Sequence, residues 1–163
     1  MKKILLFALT ILLLLGMVGC FGSPSKNEIE PTVLEFIKEY KTKQYTVEDP
    51  GNPPSIEEIG EKVKPYLSNE VYEKQNINRT FDIPAKVAAK TNSSIEVKDV
   101  ALEKIKSDEN STKYKYTVQL VFDNGSSSET VEKKGELTIT NGDEPIITRD
   151  WENRNSQIGD VKF

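Results

Sequence analysis

Between residues 31 and 91 the apolar positions recur every three or four residues, and after Asn92 they recur every two. That change of period predicts helices first and strands second. Val33, Phe36, Ile37 and Tyr40 share one face of a helix over about 31 to 45, which Pro31 is suited to open. The helix must stop before Asp49-Pro50-Gly51-Asn52-Pro53-Pro54, a run that neither helix nor strand crosses easily. Ser55-Ile56-Glu57-Glu58 has the spacing of a capping box, and Ile56, Ile59, Val63 and Leu67 supply the buried stripe of the helix it starts. Pro65 ends or kinks that helix, and Ser68 can cap a further turn or two bearing Val71 and Tyr72. A third short helix follows Pro84 through Ala85, Val87, Ala88 and Ala89.

In the second half Ile95 and Val97 alternate with polar residues, and Val100 and Leu102 continue on a shifted phase. A bulge near Lys98-Asp99 would keep both sets facing one core. Tyr114, Tyr116, Val118, Leu120 and Phe122 make the clearest strand. Asp123-Asn124-Gly125-Ser126 offers a hairpin turn, Val131, Leu137 and Ile139 mark the next strand, and Asn141-Gly142-Asp143 precedes a last strand through Ile146, Ile147, Arg149 and Trp151. The pattern predicts an α+β fold with helices packed on a four-stranded antiparallel meander. The stretch 154–163 is mostly polar, with Ile158, Val161 and Phe163 as its only apolar holds, and is expected to fray.

Ahead of the helices, Met1-Lys2-Lys3 and an apolar run from Ile4 to Val18 read as a signal peptide, since a membrane span needs about 20 apolar residues. The run ends Met17-Val18-Gly19-Cys20, and this resembles the lipobox of bacterial lipoproteins, with Met17 in place of the usual Leu. The resemblance implies cleavage after residue 19, a lipid on Cys20, and attachment to the extracytoplasmic face of the cell membrane. Residues 20–28 then form a short tether containing Gly22 and Pro24, and 29–153 the domain. Under that reading the four Asn-x-Ser/Thr sequons, at Asn78, Asn92, Asn110 and Asn124, mark only a polar surface.

Charge and composition remove several chemistries. The 163 residues carry 22 Lys and Arg against 26 Asp and Glu, and without 1–19 the balance is about −6, so nucleic acid is not an expected ligand. There is no His, one Cys, and no phosphate-loop pattern, which excludes His-dependent catalytic triads and most zinc sites. Asp108-Glu109 and Asp143-Glu144 lack the spacing of a calcium loop. No cofactor or metal is expected.

Helices followed by long antiparallel strands resemble the order of NTF2-like and cystatin-like domains. The stretch Val63-Lys64-Pro65-Tyr66-Leu67-Ser68-Asn69-Glu70-Val71-Tyr72 is similar to the helix break of small NTF2-like lipoproteins of Gram-positive bacteria. The resemblance implies a curved sheet with a cone between it and the helices, and for some members a place in conjugation or secretion machinery. NTF2-like enzymes place an acid, a His or a Tyr in the cone; here Tyr114, Tyr116, Asp82, Asp150 and Arg149 are what remains. Tyr114 and Tyr116, two apart on one strand face, either line the cone or are core aromatics with their hydroxyls at its rim. Arg149 and Trp151 join the lining if Ile147, Arg149 and Trp151 face inward, with Arg149 a paired structural charge or an anion-binding group; that role disappears if Ile146, Thr148 and Asp150 face inward instead. The first reading is a non-enzymatic binding or accessory protein with a protein or small-ligand partner. The alternatives are an enzyme using Tyr116 and Asp150, and a carrier of an apolar ligand in the cone.

Overall fold

The computed structural model describes residues 29–158 and 160–163; Cys20, its signal peptide and the tether to residue 28 lie outside the described residues. Helix α1 covers Pro31–Tyr45, α2 Ile56–Val63, α3 Asn69–Ile77 and α4 Ile83–Thr91, with single 3₁₀ turns at Lys64–Tyr66 and Thr80–Asp82. The capping box forms: Ser55 Oγ accepts from the Glu58 N–H at 3.1 Å, and the Ser55 N–H donates to Glu58 Oε2 at 2.7 Å. Pro65 lies in the 3₁₀ turn that ends α2, and Ser68 Oγ accepts from the Val71 N–H at 3.3 Å to open α3.

The strands are β1 Ser94–Ser107, β2 Ser111–Asp123, β3 Ser128–Thr140 and β4 Ile147–Glu152, paired antiparallel in the order β1-β2-β3-β4. The sheet is open, with β1 and β4 at its edges. Gly125 and Gly142, in the turns before β3 and β4, take φ of +81° and +116°, which glycine adopts without steric strain. Helix α1 packs on the sheet; its C-terminal end is tied to β1 by a two-bond bridge between Val47 and Ile95 at 3.0 and 2.8 Å. The Ser68 N–H donates to the Ile147 carbonyl at 3.0 Å and ties α3 to β4.

Register shifts decide which side chains meet the helices. The pairing moves from Val97↔Leu120 to Asp99↔Gln119, so the bulge at Lys98 keeps Ile95, Val97 and Val100 all buried. A second shift, from Ile139↔Ile147 to Thr138↔Arg149, places an extra residue at Thr148. Ile147 is thus buried, Arg149 and Trp151 are exposed, and the inward phase resumes at Asp150 and Glu152. Neither phase considered for the last strand holds along its whole length, because one residue in its middle is skipped.

Leu120 is fully buried while Gln119 points away from the core. Leu120→Ala is expected to cost about 2–5 kcal/mol of stability in a urea titration, and Gln119→Ala under about 0.5 kcal/mol. Equal unfolding midpoints would contradict the strand's phase.

The last residues depart from the expected fraying. Gln157–Ile158 pairs antiparallel with Val161–Lys162, and Ile158 and Phe163 are buried. The Phe163 ring stands edge-on to Phe122 at 5.6 Å, and its carbonyl accepts from Lys133 Nζ at 2.9 Å. Three apolar residues suffice because two of them reach the end of the core.

Candidate functional site

The inner face of the sheet carries, between α1, α3 and β4, a cluster of polar side chains removed from water. Lys41 and Gln44 come from α1 with Tyr40 and Tyr45, Gln75 from α3, Tyr116 from β2, Lys133 from β3, and Asp150 and Glu152 from β4. Lys41 is fully buried and Lys133 is 1% exposed. A buried charge is tolerated when it is paired and its hydrogen-bonding capacity is filled. Both conditions hold for Lys41: its ammonium donates to Asp150 Oδ2 at 2.9 Å, Gln44 Oε1 at 3.0 Å and Tyr116 Oη at 3.1 Å, with Glu152 Oε2 at 3.4 Å. Those first three bonds use all three of its protons.

The carboxylates are as fully engaged. The Tyr40 hydroxyl donates to Asp150 Oδ2 at 2.7 Å, Gln75 Nε2 donates to the same oxygen at 3.4 Å, and the Tyr116 hydroxyl lies 3.0 Å from Asp150 Oδ1 and 3.1 Å from Glu152 Oε2. The Tyr45 hydroxyl donates to Glu152 Oε1, which also pairs with Lys133 Nζ at 3.2 Å. With two ammonium groups and two carboxylates the cluster is electrically neutral.

Burial, reinforced by the Asp150 charge, pushes the Tyr40 and Tyr116 phenols well above their ordinary value near 10, and burial with the Glu152 charge does the same to Tyr45. Burial lowers the Lys133 ammonium, and the Glu152 charge opposes it. The tyrosines contribute stability that is fully present below about pH 10, the unfolded phenol value, and is lost as pH rises through their higher folded values. Tyrosinate absorbance should therefore show a late rise, in which Tyr40, Tyr45 and Tyr116 ionise only together with loss of structure. Ionisation of these three with structure retained would contradict the cluster.

One close approach makes room for this arrangement. Tyr116 lies across β3 at Gly135, where an added Cβ would fall 2.4 Å from Tyr116 Oη and 2.3 Å from the Trp151 carbonyl oxygen. Gly135 faces both Tyr116 and Glu152 in the pairing, so the ring and the carboxylate converge over a strand position without a side chain.

Of the residues singled out from the sequence, Tyr116 and Asp150 do meet, inside the cluster. Tyr114 is buried but belongs to a different place, a groove between the start of α1 and the β1–β2 turn lined also by Glu30, Lys104 and Thr112. Arg149 and Trp151 do not join Tyr116 on the inner face, because the Thr148 bulge turns them outward; Trp151 is 54% exposed. Asp82 sits at the start of α4, held by Arg79 at 2.7 Å and Lys86. Asp108 accepts from the Asn110 and Ser111 N–H groups at 3.0 and 2.9 Å and serves as a turn former. Among the described residues no group of three or more acidic or Cys side chains is placed to hold a metal ion.

The sequence reading missed Lys41, Gln44, Gln75, Lys133 and Glu152. A signal existed for three of them. Ile37, Tyr40, Lys41 and Gln44 recur at helical spacing on the face that α1 buries, and Lys133 stands in phase with Val131, Leu137 and Ile139 on β3.

No family model matches the sequence, and no curated protein matches it significantly. Solved structures do resemble the fold. An IcmL-like type IV secretion system protein from Legionella pneumophila superposes with a TM-score of 0.55 at 15% identity, covering 81% of this chain and 94% of that one. A periplasmic fragment of TraM gives 0.50 at 11% identity, over 74% and 93%. The putative transfer protein TraH of a Gram-positive conjugative plasmid gives 0.49 at 18% identity, over 82% and 99%. At these identities the likeness is one of fold: this chain has an α+β fold similar to that of a type IV secretion system protein and a periplasmic TraM fragment.

Proposed function

We propose that this chain is a lipid-anchored protein of the extracytoplasmic face, held by a lipid on Cys20, that serves conjugation or secretion machinery as a non-enzymatic binding component. The observation that carries the reading is the likeness to an IcmL-like type IV secretion system protein over 94% of that chain's length. The periplasmic origin of the TraM fragment fits an extracytoplasmic place, and among the described residues no helix is long and apolar enough to cross a membrane.

The cluster supports the non-enzymatic part. A general acid or base must face the atom it serves. Here Tyr116 and Asp150 face each other and Lys41, and their hydrogen bonds are spent within the cluster, on Lys41, Tyr40, Gln75 and Glu152.

Two experiments test the reading. Radiolabelled palmitate should mark the wild type and not Cys20→Ala; equal labelling of both would overturn the anchor. Deleting the chain from its host should depress transfer through the associated channel, with the wild type restoring it, and unchanged transfer would overturn the accessory role.

A further inference from the structure

We propose that the groove between α3 and the free edge of β4 binds an acidic, extended segment of a partner protein, which adds to the sheet as a further strand. The groove holds about 730 Å³, and Lys74, Arg149, Trp151 and Arg154 are exposed along it. Lys74, Arg149 and Arg154 make no ion pair among the described residues. Glu136, whose carboxylate feels the Arg149 charge, is already paired with Lys113 at 2.6 Å. Of the acids lining the groove, Asp150 and Glu152 are bound to the buried ammonium groups, which leaves Glu70 as the exposed one. A surface of uncompensated cations on a chain of net charge −4 is suited to an acidic partner.

The backbone argues for the form of that partner. The Asn153 N–H donates to the Lys134 carbonyl of β3 at 2.8 Å, so by alternation Trp151 also turns its main-chain groups toward β3. Asp150 and Glu152 turn theirs outward, and the Ser68 contact at Ile147 has already ended. An extended peptide can take up these open groups while its side chains reach the cations on either side, the mode of strand addition. A second copy of this chain is a poor occupant, because pairing β4 with β4 would set Arg149 and Arg154 of both copies together. So is the membrane that holds the tether. The described chain begins at Ile29, and Glu30 and Thr32 lie beside Ser107, Asn141 and Gly142 at one end of the sheet. Arg154 also borders a hollow with Lys90, Lys162 and Phe163, toward the Phe122 end.

This proposal names the partner class for the accessory role proposed above and rests on it. Trp151 is the only tryptophan, so its emission reports the groove directly. An acetylated peptide of glutamate pairs alternating with threonine pairs, which sets acids on both faces of a strand, should shift that emission saturably. The double variant Arg149→Glu, Arg154→Glu, whose unfolding midpoint should match the wild type, should bind about tenfold more weakly or worse. The same peptide N-methylated at every residue keeps its charge and, with no N–H left on either edge, should lose about tenfold through its missing hydrogen bonds. No emission change, undiminished binding by the double variant, or stronger binding to phosphatidylglycerol vesicles would overturn the site, and undiminished binding of the N-methylated peptide would overturn strand addition. A chain that restores transfer yet ignores the peptide fails this proposal alone, whereas one dispensable for transfer fails the accessory role.

Discussion

Gly135→Ala is expected to destabilise the fold by about 3 kcal/mol or more, the upper range for adding a methyl group where none fits. The position on β3 is crowded from two sides: the new Cβ would lie 2.3 Å from the Trp151 carbonyl oxygen and within 2.5 Å of two Tyr116 atoms. The carbonyl belongs to the backbone of the neighbouring strand and cannot swing aside. Tyr116 cannot leave either, because its hydroxyl lies between Lys41, Asp150 and Glu152. Relief must come from prising β4 off β3 or the ring off the ion cluster, and either opens the core. Gly125→Ala is the control: it meets no atom within 4 Å and carries only the left-handed strain of its φ of +81°, about 1–2 kcal/mol. Denaturant midpoints of the two variants separate steric crowding from backbone freedom; equal losses would contradict the packing of Tyr116 on β3.

Lys41→Met should cost about 3–5 kcal/mol, the usual range when one partner of a buried ion pair is removed. The methionine fills the space of the lysine stem, so lost volume is a minor part of the effect. What remains is two carboxylates facing one ammonium, with Asp150 3% exposed at its side chain and without its cation. Adding Asp150→Asn to Lys41→Met restores neutrality. The double variant should therefore lose less than the sum of the two single losses, by a coupling of about 1–3 kcal/mol. Strict additivity would show that the two residues do not act as a pair.

These two residues also mark the limit of what the sequence disclosed. Helix boundaries were legible where local chemistry sets them: Pro31 opening α1, the Ser55–Glu58 box, Pro65 and Ser68 between α2 and α3. The Lys98 bulge was legible because the apolar phase slips there in plain view. The bulge at Thr148 was not, since Ile146-Ile147-Thr148 offers two apolar residues in a row and either could face the core. That one hidden residue sends Asp150 and Glu152 inward and Arg149 and Trp151 outward, and so decides both the buried cluster and the basic groove. Lys41 and Lys133 were obscured differently. Lysines on core-facing positions read as breaks in the pattern, and only the simultaneous inward turn of two acids from another strand makes them tolerable.

We take the Tyr116 cluster as scaffolding and the working part of the protein as its surface. The frequency of transfer in a deletion strain carrying Tyr116→Phe tests this most directly. The variant keeps the ring over Gly135 and loses one hydroxyl, at a stability cost of about 1–3 kcal/mol. Transfer close to the wild-type frequency, with the variant present at normal abundance, is the predicted result. A fall of about a hundredfold or more in the folded variant, the size of effect that follows loss of a positioned proton carrier, would contradict it.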